Sequence, residues 1–301
     1  MLLLKSDFSL YMIDRFLEYA SVEKRYSAHT ITSYRKDLED FYCYFLETEG
    51  TDDLLLANSK SIKNFIYHLN KNEFSKRSIN RKLSTLRSFY LFAMKTGAIK
   101  QSPTETIASL KFYPEKQIPM SQDEMKELEV VLSERAPGKL VKAIIETLYQ
   151  TGMRKMEICG LLLESFDAEK AELMVHGKGN KQRIIPISQR LKYVIQAYLN
   201  VRTATEDQHL FVSRKGKKLN EKFVYSTVNN YLSLITSKEK KSPHILRHSF
   251  ATHVLNNGAE ISKVKKLMGH SSLASTQVYT NADIEQLKKV FNSAHPRAKK
   301  E

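Results

Sequence analysis

A polar segment bounded by two prolines, Pro114 and Pro119, separates two parts of the chain that have different hydrophobic patterns. Because proline interrupts both helices and strands, this segment predicts a linker between domains. Directly after it, Ser121 and Glu124 have the spacing of a capping box, which predicts the start of a helix. We therefore expect an N-terminal domain over residues 1–112, a linker over 113–120 and a C-terminal domain over 121–301.

The N-terminal part has helical periodicity. Apolar residues follow one helix face over residues 31–45 and a second over 79–93, and Gly50 and Gly97 come where these helices would end. Such faces are typical of the core of a small helical bundle, which we favour over a cofactor pocket. The sequence therefore predicts an N-terminal helical-bundle domain.

The C-terminal part has a mixed pattern. Short apolar stretches at 172–175 and 183–187 flank a glycine-containing segment at 177–180, which predicts a β-hairpin. From Glu221 onward the periodicity is helical. The predicted fold is therefore mainly α in two domains, the second being an α+β domain with a small β-sheet.

The charge of the chain favours a polyanionic partner. The net charge is +15, and residues 71–101 carry eight Lys or Arg residues against the single acidic residue Glu73. A solvated helix face usually mixes both signs, so this concentration suggests a surface that binds phosphates, although simple solvation is the alternative. The candidate DNA-binding residues here are Lys76, Arg77, Arg81, Lys82 and Arg87.

Two features argue against other classes of protein. No apolar run approaches the roughly 20 residues of a transmembrane helix, so we expect no membrane partner. Cys43 and Cys159 are the only cysteines, too few for a disulfide framework or a cysteine-based zinc site. We therefore expect a cytoplasmic protein.

Histidines cluster near the end of the chain, where five of the nine lie in the last 61 residues. Ser242 and Pro243 predict the start of a helix, which places His244 and Arg247 on one face of its first turns. Backbone N–H groups and the helix dipole favour an anion there. His244 and His248 have the spacing of metalloprotease zinc ligands, but no glutamate lies between them and Arg247 would repel a cation. We therefore expect no metal site.

Four motifs, taken together, resemble the catalytic half of the tyrosine recombinases, the phage-integrase family. They are YQTGMRKMEI at 149–158, HGKGNKQR at 176–183, SPHILRHSFATH at 242–253, and LMGH at 267–270 followed by Tyr279. The segment YSAHTITSYRKDL at 26–38 is similar to the core-binding domain of the Xer recombinases, and the ending HPRA at 295–298 is also Xer-like. The resemblance covers nearly the whole chain, and it implies a core-binding DNA clamp domain followed by a catalytic domain.

The resemblance implies an enzyme, a site-specific DNA recombinase, and assigns its catalytic residues. They are Tyr279, Arg154, Lys178, His244, Arg247 and His270. The tyrosine would attack the scissile phosphate and form a 3′-phosphotyrosyl intermediate, which retains the bond energy for rejoining. The two arginines would bind the non-bridging oxygens as charged forks. This chemistry needs no ATP, metal ion or other cofactor.

The remaining roles come from the same resemblance. Lys178 would protonate the leaving 5′-oxygen, His270 would donate a hydrogen bond to the phosphate, and His244 would assist proton transfer. Glu157, three residues after Arg154, would orient that arginine.

Double-stranded DNA is the expected partner, and Lys181 and Arg183 would contact its backbone phosphates. An amphipathic helix over residues 284–291 fits packing on its own domain equally well by pattern alone. The resemblance implies instead that this helix is donated to a neighbouring protomer. The assembly would be a homotetramer, or a heterotetramer with a paralogous recombinase, on two DNA sites. A DNA translocase is a further candidate partner.

The family covers several roles in the cell. We favour Xer-type resolution of chromosome or plasmid dimers, which belongs to chromosome partition and cell division and would place the protein at the nucleoid. A transposon or phage integrase and a DNA invertase are alternatives within the family. A type IB topoisomerase shares the chemistry but acts as a monomer. A non-catalytic DNA-binding accessory protein is the alternative from a different class.

Overall fold

A computed structural model describes residues 6–113, 117–135, 138–177, 182–269 and 281–298 of the chain. Within these ranges, the side chains of 6–8 and 281–283 are not described. The chain divides into two compact units, Met1–Glu115 and Lys116–Glu301. None of the helices in the described ranges combines the length and the apolar character required to cross a bilayer.

The described part of the first unit is a helical bundle. It consists of α1 (Ser6–Val22), α2 (Ala28–Glu49), α3 (Ser59–Lys71) and α4 (Lys76–Lys95). Phe16, Leu38 and Phe89 are among the side chains that pack into its single core. The helix predicted over 31–45 is α2, which ends at Gly50 in the left-handed conformation with φ of 67°. The predicted helical-bundle domain is confirmed.

The second unit combines eight described helices with one small sheet. The helices are α5 (Gln122–Glu134), α6 (Lys139–Thr151), α7 (Lys155–Cys159), α8 (Gln189–Leu199), α9 (Glu221–Leu232), α10 (Pro243–Asn256), α11 (Ile261–Met268) and α12 (Asn281–Ala294). The strands β1 (Phe166–Asp167), β2 (Glu172–His176) and β3 (Gln182–Pro186) form an antiparallel sheet in the order β1-β2-β3. This architecture confirms the predicted α+β domain and its hairpin.

Helix α10 lies at the centre of the second unit. Its apolar side packs Ile245, Leu246 and Phe250 into the core, and α6 runs against it. Ser249 on the same helix accepts a hydrogen bond from the Met120 N–H at 2.8 Å. Because α10 is held by the core along its length, its first turn presents His244 and Arg247 on a rigid support.

Candidate active site

The first turn of α10 carries two of the predicted catalytic residues. Pro243 occupies the first helical position after Ser242, as predicted, although the Ser242 side chain makes no capping hydrogen bond. His244 is exposed while Arg247 is buried. Desolvation, followed by the positive charges of Lys155, Arg247 and Arg154, lowers the pKa of His244 below its usual 6.5. The imidazole is therefore mainly neutral at pH 7, and it can accept a proton.

Two carbonyl groups hold the guanidinium of Arg247. Its Nη1 donates to the Gly152 oxygen at 2.5 Å, and its Nη2 donates to the Met268 oxygen at 2.8 Å. Burial, and then the charge of Arg154, lower the pKa of Arg247 to about 10, so it remains a cation at neutral pH. Gly152 is required at its position because its φ is 60° and a Cβ would lie 2.4 Å from the Phe250 ring.

A carboxylate orients Arg154 at the start of α7. Glu157 Oε2 accepts the Arg154 backbone N–H at 2.7 Å, and Glu157 Oε1 accepts Arg154 Nη1 at 2.9 Å. This geometry is what the predicted orienting role of Glu157 requires. The Arg154 side chain is 39% exposed, so the rest of its fork faces solvent. Bonds from Arg183 hold the pKa of Glu157 below its usual 4.5 despite its burial, which by itself would raise that pKa.

Arg183 does not lie where the sequence prediction placed it. Its side chain is 5% exposed, and it pairs with both oxygens of Glu157 instead of facing the phosphate backbone. A signal for this burial exists in the sequence. In a strand, residues two apart share a face, and Arg183 therefore shares the face of Ile185, which is fully buried.

Lys82 in the first unit also requires a correction. Its side chain is only 3% exposed, and its ammonium pairs with Asp37 and Asp40 on α2. The predicted phosphate contact does not fit this position, because the buried ammonium of Lys82 is already paired with the carboxylates of Asp37 and Asp40. Its apolar stem and its charge serve to join α4 to α2.

The other basic residues of α4 divide into two groups. Lys76 and Arg77 are exposed at the first turn. Arg81 is half-exposed but pairs with Asp37. Arg87 donates to the Ile107 carbonyl at 2.5 Å and to Ser109 Oγ at 2.9 Å. Among the predicted DNA-binding residues of α4, all of which the structure describes, Lys76 and Arg77 are therefore the pair best placed for phosphates.

Four predicted residues lie outside the described ranges. They are Lys178, Lys181, His270 and Tyr279. Their positions in the sequence relative to the described elements are known. Lys178 and Lys181 come between β2 and β3, and His270 directly follows Gly269, which ends α11 with φ of 66°.

The last helix packs on the unit of its own chain. Leu287 and Phe291 of α12 are buried in the core of the second unit, and Lys288 pairs with Glu172 at 2.9 Å. This arrangement matches the packing alternative, in which the apolar face of the helix is buried within its own domain. It differs from the donation to a neighbour that the resemblance implies.

The second unit contains no cluster of three metal-ligating His, Cys, Asp or Glu side chains within the ranges that the structure describes, and neither does the first. The positive charges that act on His244 are those of Lys155, Arg247 and Arg154, and the Glu157 carboxylate nearby pairs with Arg154 and Arg183. Cations held together in this way attract an anion with several oxygens, such as a phosphodiester.

Comparison with known proteins is consistent with this site. The phage integrase family model matches residues 119–286, and the model for the phage integrase N-terminal SAM-like domain matches residues 13–97. A tyrosine recombinase XerC from Bacillus subtilis (strain 168) is 36% identical over 293 residues, which cover 94% of this chain and 95% of the relative.

Two solved structures share the fold. One is a XerH site-specific recombinase bound to palindromic difH substrate in a post-cleavage complex, with a TM-score of 0.73, 18% identity and 96% of each chain covered. The other is a lambda integrase tetramer bound to a Holliday junction, with a TM-score of 0.70 and 15% identity, covering 91% of this chain and 80% of that chain. The chain therefore belongs to the phage integrase family, and it is a tyrosine recombinase of the Xer-like type.

Proposed function

We propose that this protein cuts and rejoins double-stranded DNA at specific sites through a covalent bond between Tyr279 and the 3′-phosphate. The observation that carries the proposal is the placement of Arg154 and Arg247. Their guanidinium groups are near enough for the charge of Arg154 to lower the pKa of Arg247, and the Glu157 carboxylate pairs with Arg154. Holding like charges together is unfavourable unless an anion is bound, so the arrangement fits a phosphate site.

The proposed reaction forms one bond and breaks one. The phenol oxygen of Tyr279 attacks the scissile phosphorus, while its proton passes to a base for which neutral His244 is our candidate. The bond from phosphorus to the 5′-oxygen breaks, and Lys178 supplies the proton that yields a free 5′-hydroxyl. Rejoining is the reverse, with a 5′-hydroxyl attacking the phosphotyrosine and the phenol leaving.

The arginines act on the charge that develops in this step. The fork of Arg154 and the fixed guanidinium of Arg247 would bind the non-bridging oxygens, and His270 would donate to one of them. Because the carbonyl groups of Gly152 and Met268 already hold Arg247, little reorganisation accompanies the reaction. The transition-state charge is thereby stabilised by residues of the chain itself, without a requirement for a metal ion.

For the cellular role we propose Xer-type dimer resolution in the cytoplasm, at the nucleoid. The support is the similarity over nearly the full chain to a protein named XerC. We further propose a tetramer on two DNA sites, built from this chain alone or with a paralogous recombinase, and with a DNA translocase as a candidate regulator. The lambda integrase tetramer, which shares the fold, supports the stoichiometry. An integrase or invertase role would be recognised by recombination between unlike or inverted sites.

The test uses a duplex selected for binding from a random-sequence library and then nicked next to the cleavage position, so that cleavage cannot be reversed. Wild-type protein and Tyr279→Phe are incubated with it in EDTA and without ATP. We expect a covalent protein–DNA adduct from the wild type and none from Tyr279→Phe. Tight binding without any adduct would contradict the proposal and favour an accessory DNA-binding protein.

A further inference from the structure

We propose that Arg183 is a positioning residue of the active site, which holds Glu157 and, through it, the fork of Arg154. The catalytic consequence of this inference rests on the proposed function. The sequence prediction placed Arg183 on the backbone phosphates of DNA, and the inference gives it a different role. Within the part of the chain that the structure describes, Arg183 forms no hydrogen bond with the first turn of α10. Its effect would pass through Glu157.

The contacts of Arg183 fix its side chain in a single arrangement. Nη1 donates to Glu157 Oε1 at 2.9 Å and Nη2 donates to Glu157 Oε2 at 2.8 Å, a bidentate pair. Nε donates to the Leu267 carbonyl at 3.0 Å. The pair is almost completely buried, since Arg183 is 5% and Glu157 is 6% exposed in their side chains. A buried pair with this geometry has little freedom to rearrange.

The Arg183–Glu157 pair limits how much of the Glu157 carboxylate is available to Arg154. Glu157 Oε1 accepts from both Arg154 and Arg183, so one carboxylate is divided between two guanidinium groups. Without Arg183, the carboxylate would be free to turn and form its own bidentate pair with Arg154. That pairing would withdraw the Arg154 fork from a phosphate and neutralise much of its charge. Arg183 therefore keeps the Arg154 fork oriented and available to a phosphate.

The same side chain reaches the segment that leads to His270. A Cβ on Gly269 would lie 3.1 Å from Arg183 Cδ and Nη1, so Arg183 packs directly on the glycine that precedes His270. The Leu267 carbonyl accepts from Arg183, and the next carbonyl, that of Met268, accepts from Arg247. These are the orphan carbonyls at the end of α11, where cations are favoured.

Arg183 thus joins three motifs through one side chain. It belongs to β3, directly after the segment that contains Lys178. It holds Glu157 at the Arg154 turn, and it packs against the end of α11 before His270. A residue at this junction can set the relative placement of groups that must converge on one phosphate, where a displacement of about 1 Å can slow a reaction roughly 10²-fold.

The test compares Arg183→Gln, Arg183→Lys, Glu157→Gln and the double variant Glu157→Gln/Arg183→Gln with the wild type. Arg190→Gln is the matched control, since it removes another arginine–glutamate pair of the second unit, that of Arg190 with Glu129. Single-turnover adduct formation is measured on the nicked duplex at saturating protein, below the melting temperature of every variant. DNA affinity is measured as a function of salt.

We expect Arg183→Gln to form adduct about 10²-fold more slowly, with unchanged DNA affinity and salt dependence, and Arg183→Lys to recover part of the rate. The double variant should be no slower than the slower single variant, because both changes act on one group. Arg190→Gln should react like the wild type. A wild-type rate for folded Arg183→Gln would overturn the inference, as would a lowered salt slope, which belongs to a phosphate contact.

A second readout does not depend on catalysis. In crystal structures of the wild type and Arg183→Gln, we expect the Glu157 carboxylate to turn and the Arg154 guanidinium to move with it. An unmoved Arg154 would overturn the positioning role even if the rate fell. If the wild type forms no Tyr279-dependent adduct, the proposed function fails, while the crystal structures still decide whether Arg183 positions Arg154.

Discussion

Each unit of this protein buries a carboxylate that binds two basic side chains, and the two clusters have opposite outcomes. In the first unit, Asp37 bonds Arg81 and Lys82 and accepts from Thr85 at 2.9 Å, which joins α2 to α4. In the second unit, Glu157 bonds Arg154 and Arg183. The Asp37 cluster encloses Lys82, whereas the Glu157 cluster leaves the fork of Arg154 exposed beside Arg247.

The two clusters differ in how far their carboxylates use the donors of the basic side chains. Lys82 has a second carboxylate, Asp40, and its bonding capacity is used within the bundle. Arg154 shares the Glu157 carboxylate with Arg183, and its side chain is 39% exposed, which leaves donors for a ligand. Lys82 pairs with two carboxylates and is 3% exposed, so it stabilises the fold, whereas Arg154 pairs with Glu157 and is 39% exposed, so it can bind a substrate. Four experiments test whether the two clusters differ in this way.

The largest effect is expected on the stability of the first unit. Asp37→Ala leaves the buried Lys82 ammonium with fewer partners, so the free energy of unfolding should fall by about 3–5 kcal/mol. Urea unfolding measures this change. Asp14→Ala is the matched control, because its pair with Arg35 is exposed on both sides and should be worth less than about 1 kcal/mol. Equal losses for the two variants would contradict a structural role for the Asp37 cluster.

The next effect concerns the Glu157 cluster. Arg154→Ala removes a phosphate donor without removing the Glu157–Arg183 pair, so adduct formation should slow by about 10²–10³-fold while the melting temperature changes little. Single-turnover cleavage and thermal unfolding are the measurements. A large loss of stability with a wild-type rate at lower temperature would show that Arg154 serves the fold, as Lys82 does.

A smaller effect should separate exposed from enclosed cations of α4. Lys76→Ala and Arg77→Ala should each lower the slope of log affinity against log salt by about 1, because each removes one phosphate contact. Lys82→Met should leave the slope of the folded protein unchanged. Gel-shift titration at several salt concentrations gives the slopes. A reduced slope for Lys82→Met would contradict this assignment and support the phosphate contact that the sequence predicted.

The smallest effect is on the titration of His244. Its pKa is lowered by desolvation and by neighbouring cations, so Lys155→Met should raise that pKa towards 6.5. NMR titration of the ring protons measures it. Because the neutral imidazole is the proposed base, the cleavage rate of the wild type should fall as the pH decreases through this lowered pKa. Loss of activity that begins well above pH 6.5 would exclude His244 as that base.

The elements of the fold were predictable because local rules determine them. The Ser121–Glu124 capping box is present, α2 ends at Gly50, and the hairpin strands flank the predicted turn segment. The catalytic half was recognisable because four motifs stand in order. Arg183 shares a strand face with the buried Ile185, which is a sequence signal for its burial, but the prediction followed the motif's position beside Lys178 and favoured a DNA contact.

What the sequence could not give depends on contacts between distant segments. Lys82 is enclosed because Asp37 and Asp40, more than 40 positions earlier, lie opposite it on α2. Arg183 is held by Glu157, 26 positions earlier, and by Leu267, 84 positions later. The charge density along α4 predicts that Lys82 is a surface cation, and the motif beside Lys178 predicts the same for Arg183. Burial next to a carboxylate, in contrast, depends on how distant segments pack.

The central claim is that cations of the second unit perform the chemistry, whereas those of the first unit hold the fold and the DNA. One substitution made in both units tests it most directly. Arg247→Lys and Arg81→Lys each keep the charge and remove the fork, and adduct formation is measured on the nicked duplex at saturating protein. We predict a rate about 10²-fold lower for Arg247→Lys and a wild-type rate for Arg81→Lys. Equal rates for the two variants, or a slower Arg81→Lys, would contradict the account.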